Sequence, residues 1–96
     1  MKPSDALAAH RVAVRRAVES RRMANPRVFG SVLYGKDHDG GDIDILVDAL
    51  PGATLVDLGG LQVQLEDILG VRVDLLTPED LPLTYRARVL AEAVPI

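Results

Sequence analysis

The sequence predicts an α/β fold in which helices back a small sheet. Two observations carry that expectation. Short apolar runs with strand-like alternation, above all I-D-I-L-V at Ile43–Val47 and V-R-V-D-L-L at Val71–Leu76, lie between stretches whose apolar residues recur at helical spacing. Neither an internal repeat, a low-complexity tract nor a linker interrupts this order. At 96 residues, the chain suits one small domain with a single core, so residues 1–96 are expected to form one unit.

Ser4 is a suitable N-cap for a first helix, and Asp5 suits the positive end of its dipole. Leu7, Val14 and Val18, with Ala8 and Ala17, make an apolar stripe along that helix, which Asn25-Pro26 is expected to end. Arg27 to Phe29 then reads as a short strand entering Gly30-Ser31. Val32 to Gly35 either continues it or forms the first turn of a short helix, and Lys36 to Gly41 is a loop. Asp42 to Val47 is the second strand.

Beyond the break at Leu50-Pro51-Gly52, Thr54 caps a second helix running to about Leu69, with Gly70 as its stop. Leu58, Leu61, Leu65, Ile68 and Leu69 share one side of it. Gly59-Gly60 costs that helix about 1 kcal/mol per glycine relative to alanine, which predicts a kink or a close-packed neighbour. Val71 to Leu76 is the third strand. Thr77-Pro78-Glu79 has the form of a helix start. After Pro82, Leu83 to Ala93 reads as a last helix whose Leu83, Ala87 and Leu90, with Val94 beyond, are expected to pack on the sheet.

Composition narrows the function classes. A chain 48% hydrophobic and 26% charged is too apolar for disorder. Phe29, Tyr34 and Tyr85 are the only aromatics, so the core must be aliphatic. Without cysteine, and with His10 and His38 as the only histidines, a disulfide framework or structural zinc site is excluded. No apolar run reaches membrane-spanning length and no signal segment opens the chain, so no membrane association and a cytoplasmic location are expected. Most basic residues fall at or before Arg27, where a solvated helix face competes with a surface for an acidic partner or RNA. The net charge of -3 and the missing aromatic platforms argue against nucleic acid.

The chemistry concentrates between Val28 and Asp48. Residues two apart on a strand face the same way, so Asp42 and Asp44 project together while Ile43, Ile45 and Val47 enter the core. Adjacent carboxylates repel, and a cation between them removes the conflict. By the same alternation Asp74 falls on their side if Val71, Val73 and Leu75 join the core face. Three carboxylates suit Mg²⁺, a hard cation that shares its shell with water and substrate phosphates. Asp37, Asp39 and Asp48 are read as surface decoration. Gly30-Ser31 permits close backbone approach and offers N–H groups and a hydroxyl to phosphate oxygens, although Gly-Ser is also ordinary turn chemistry.

Gly30-Ser31, a gap of ten residues and Asp42-Ile43-Asp44, with Asp74 on a later strand, resemble the nucleotidyltransferase superfamily that includes DNA polymerase beta. The length and the ending L-A-E-A-V-P-I are similar to its minimal nucleotidyltransferase branch. The resemblance implies the α+β nucleotidyltransferase fold, a small mixed sheet backed by helices. It implies that Asp42, Asp44 and Asp74 are catalytic and bind Mg²⁺, with Asp74 as general base, and that Gly30 and Ser31 contact the phosphates of ATP. It further implies an antitoxin that binds a cognate HEPN-domain ribonuclease toxin as a hetero-oligomer and transfers AMP from ATP to a toxin tyrosine. Many members continue the motif as G-S-R-A and place serine before the first aspartate, whereas this chain has Val32-Leu33 and Gly41. Lys36, or Arg72, is then the candidate cation for the phosphates. A binding antitoxin that masks its toxin without chemistry is the competing reading, and an RNA-modifying transferase a third.

Overall fold

The computed structural model describes residues 1–96. Along the chain run α1 (Pro3–Glu19), β1 (Met23–Phe29), β2 (Ile43–Ala49), α2 (Leu55–Leu69), β3 (Val73–Leu76), a 3₁₀ turn (Pro78–Asp80), α3 (Leu83–Glu92) and β4 (Val94–Pro95). The four strands form one mixed sheet in the order β3-β2-β1-β4. β1 is antiparallel to both β2 and β4, and β2 is parallel to β3 with α2 as the crossover.

The core forms where the sheet meets α1 and α2. Ile43, Ile45 and Val47 from β2, and Val73 and Leu75 from β3, are buried against Val14 and Val18 of α1 and Leu61, Leu65 and Leu69 of α2. Alternation along the strands and i, i+4 spacing along the helix produce these faces. Leu46, on the other face of β2, is also fully enclosed, as is Leu81. The chain after the 3₁₀ turn is fastened there by Arg86, which donates to the carbonyls of Leu81 (2.8 Å) and Glu79 (3.0 Å).

α2 begins and ends as its sequence signals. Thr54 and Asp57 exchange backbone-to-side-chain bonds in a capping box, and Gly70 closes the helix in the left-handed conformation at φ 67°. Gly60 has a close neighbour: a Cβ there would strike the guanidinium of Arg21, which also donates to Gln64.

Several boundaries differ from expectation, among them the start of β2, which is Ile43 rather than Asp42. Lys2 is the N-cap of α1, with Pro3 in the first turn, while the Ser4 N–H donates to Asp37 Oδ2 at 2.9 Å. α1 ends at Glu19, ahead of Asn25-Pro26, and is kinked at His10. Asn25 and Pro26 lie inside β1, at a bulge between Ala24 and Arg27, with Asn25 at φ 55°. A bulge leaves residues outside the ladder, which is where a strand tolerates proline. The third strand is also shorter than its sequence pattern, starting at Val73.

α3 departs furthest. None of its residues is buried, and Leu83 (80% exposed) and Leu90 (40%) do not pack on the sheet; nor does Val94 (45%). The helix is held at its ends. Arg86 fixes its start, and β4 pairs Val94 and Pro95 with Val28 and Arg27 beyond its finish. Ile96 adds an N–H bond to Pro26 O (3.0 Å) and accepts from Arg15 (3.1 Å).

Two substitutions should separate these environments. Leu65→Ala, in the closed core, should lower unfolding free energy by about 2–5 kcal/mol, and Leu90→Ala by less than about 1 kcal/mol, measured by urea denaturation.

Candidate active site

Parallel pairing of β2 with β3 sets Asp44 opposite Asp74. Their carboxylates are close neighbours. Desolvation, followed by the charge and hydrogen bonding of Asp74 and the charge of Asp42, pushes Asp44 up to about 6. No lysine or arginine forms an ion pair with any of these three aspartates. The acidic edge is therefore uncompensated within the chain.

Asp74 is thus the immediate neighbour of Asp44. Asp42 precedes the first residue of β2, is exposed, and acts on Asp44 more weakly. The three side chains are not gathered into a closed three-residue metal cluster. The donors are all carboxylate oxygens, and Mg²⁺ commonly takes one or two carboxylates and completes its shell with water and phosphate. The Asp44–Asp74 pair with Asp42 beside it fits such an ion.

Gly30 belongs to the same site by contact. It follows Phe29, the register partner of Asp44, and stands at φ 74°. A Cβ at Gly30 would overlap Asp44 Oδ2 and lie 3.0 Å from its Cγ. Glycine is required here both by the backbone and by the space the carboxylate occupies. Beyond it the chain forms a tight turn, with the Tyr34 N–H donating to Gly30 O (3.3 Å) and the Lys36 N–H to Ser31 O (2.8 Å). The Ser31 and Lys36 side chains are exposed. Val32 is partly buried and packs against the core.

The other aspartates between Val28 and Asp48 have structural partners. Asp48 binds Arg27 at 3.0 Å and accepts from Asn25 (3.1 Å). Hydrogen bonds from the Ser4 side chain and backbone hold Asp37 below the ordinary carboxylate range. Asp39 pairs with the N-terminal amine at 3.2 Å. Three arginines of the early chain are likewise occupied: Arg15 with Ile96, Arg21 with Gln64 and Arg22 with Gly52.

Three depressions mark the surface. The largest, about 650 Å³, follows α1 from Ala8 to Ser20 and touches neither the three aspartates nor Gly30. A second, about 230 Å³, lies beside Thr54 and Asp80. The smallest, about 200 Å³, opens beside Gly30, between the turn after β1 and α3. Tyr34, Tyr85, Arg88 and Glu92 line it. The sequence hinted at it only through the scarcity of aromatics.

A mixed sheet with helices on one face, a carboxylate pair at a strand edge and a Gly-Ser turn against it define a nucleotidyltransferase-type fold and site. The family model described as "Nucleotidyltransferase domain" matches residues 13–96. Protein adenylyltransferase MntA of Thermococcus cleftensis is 35% identical over 88 residues, covering 92% of this chain and 86% of that protein. A structure described as a minimal nucleotidyltransferase superposes with a TM-score of 0.86 at 39% identity, covering 97% of this chain and 95% of the other. A crystal structure described as a toxin–antitoxin with AMP-PNP shares the fold, with a TM-score of 0.69 at 22% identity over 83% of this chain and 66% of that one. The chain belongs to the nucleotidyltransferase domain family.

Two outcomes follow from the site. Asp44 has a folded-state value above the ordinary 3.8, so its stabilising contribution is complete below 3.8 and is lost as pH rises through about 6. Discounted for half exposure, the loss is about 1–2 kcal/mol. In urea titrations from pH 4 to 7 without divalent cations, Asp44→Asn should flatten that decline and be the more stable form at pH 7. Gly30→Ala should cost about 1–2 kcal/mol from the left-handed backbone alone, read by thermal melting at pH 7.

Proposed function

We propose that this protein is an Mg²⁺-dependent adenylyltransferase antitoxin, transferring AMP from ATP to a hydroxyl of a cognate toxin and so neutralising it. The observation that carries the reading is the uncompensated Asp44–Asp74 pair against the Gly30 turn, in a member of the nucleotidyltransferase family. The names of MntA as a protein adenylyltransferase and of a fold relative as a toxin–antitoxin with AMP-PNP support the acceptor class and the nucleotide. The resemblance of the Gly-Ser and Asp-Ile-Asp motifs to the minimal branch supports a HEPN-domain toxin, and one of its tyrosines as acceptor, within a hetero-oligomer.

In this reading Asp42, Asp44 and Asp74 hold Mg²⁺, which when bound neutralises charge on the phosphates and aligns the attacking and leaving oxygens. Gly30 lets the backbone approach the phosphates, Ser31 donates to them, and Lys36 supplies a cation from the loop. Asp74 accepts the proton of the toxin hydroxyl as its oxygen bonds to the α-phosphorus. The bond from that phosphorus to the β-phosphate bridge breaks, and pyrophosphate leaves.

Exposed Leu83 and Leu90 on α3 favour a second reading, in which the protein masks the toxin by complex formation alone. Incubation with ATP labelled on the α-phosphate, Mg²⁺ and the toxin separates the two. Transfer should label the toxin, and Asp42→Ala with Asp44→Ala should reduce labelling by at least about 100-fold while neutralisation is lost. Neutralisation retained by that folded double variant, with no label, would establish masking.

A further inference from the structure

The cleft beside Gly30 holds Phe29, Tyr34 and Tyr85, and these are all the aromatic residues of the chain. A random scatter of three rings over 96 residues would not be expected to line one depression. The core makes no use of them, since its members are aliphatic. Tyr34 and Tyr85 are substantially exposed at 55% and 41%, so burial of ring surface is not what holds them there. Each comes from a different part of the chain: the end of β1, the turn after Gly30, and α3. Only the return of the chain through β4 beside β1 brings α3 to that turn.

The cleft is continuous with the carboxylate site, because Gly30 lines it on one side and abuts Asp44 on the other. Its volume of about 200 Å³ suits a single flat heterocycle better than a peptide segment or a drug-sized ligand. Its polar groups sit at the edge. The Tyr34 hydroxyl donates to the Glu92 carboxylate, and Arg88 lies beside both. Aromatic faces accept a nucleobase by stacking, and an arginine adds a cation–π face or a phosphate contact.

We propose that this cleft is the nucleobase subsite of the ATP donor, with Tyr34 and Tyr85 presenting stacking surfaces and Arg88 contacting the base or its adjoining phosphates. The proposal rests on the nucleotide reading given above and deepens it: phosphates lie over the Gly30 turn, and the base is received on the side of α3, away from β3. Glu92 then exchanges its bond to Tyr34 for one from an amino group on the base, which favours adenine over a base presenting a carbonyl there.

The test compares two probes in Mg²⁺ by calorimetry: a non-hydrolysable ATP analogue, and inorganic tripolyphosphate, which has no base. The wild-type protein should bind the analogue at least about tenfold more tightly. Tyr85→Ala should erase that difference and leave tripolyphosphate affinity within about twofold, while Tyr85→Phe should keep it. Tyr85 is exposed, and unchanged tripolyphosphate binding itself reports an intact phosphate site. Equal affinity of the wild-type protein for both probes would overturn the subsite, as would a Tyr85→Ala variant that retains the preference. Binding of neither probe would overturn the nucleotide reading on which it rests.

Discussion

The in-register parallel pairing of β2 with β3 is the constraint on which the site depends. It sets Ile43 beside Val73 and Ile45 beside Leu75, and in the same stroke Asp44 beside Asp74. A slip of one residue would bury the carboxylates and expose the aliphatic side chains, so the core holds the register against the repulsion of the acids. The penalty is visible locally, in a carboxyl raised to about 6. It is tolerated because the pair is at a strand edge, where water still reaches it.

Gly30 couples the second half of the site to the first. Its turn touches Asp44 through space rather than through any hydrogen bond, and the glycine is needed because a carboxylate occupies the room of a side chain. Val32 then anchors the turn from inside. The segment that presents Ser31 and Lys36 to solvent is therefore braced by the same core that fixes the carboxylates.

What could be read in the sequence follows from how local each signal is. β2 and α2 were legible because alternation, a capping box and a C-terminal glycine are encoded within a few residues. That Asp44 and Asp74 would stand side by side was legible by the same alternation, while Asp42 lies just ahead of β2. The start of β1 was not, since Asn25-Pro26 reads as a break and its acceptance depends on a bulge defined by the partner strand. The helical pattern of α3 was legible, but not that its apolar residues stay outside the core. β4 is two residues long and contains a proline, too little pattern to stand out. The cleft depends on β4, and it escaped notice for that reason. Contact between Gly30 and Asp44 escaped it too, being a consequence of register between strands fourteen positions apart in the sequence.

The loop from Lys36 to Gly41 is moored. Asp37 takes the Ser4 N–H, Asp39 takes the terminal amine, and the Gly41 N–H closes on His38 O at 3.0 Å. Fixing the backbone of one residue costs about 1–2 kcal/mol, so a loop ordered in advance spares an arriving ligand that expense at each position. The first turn of α1, far from the carboxylates in sequence, thereby acts as a preorganising element for the approach to them.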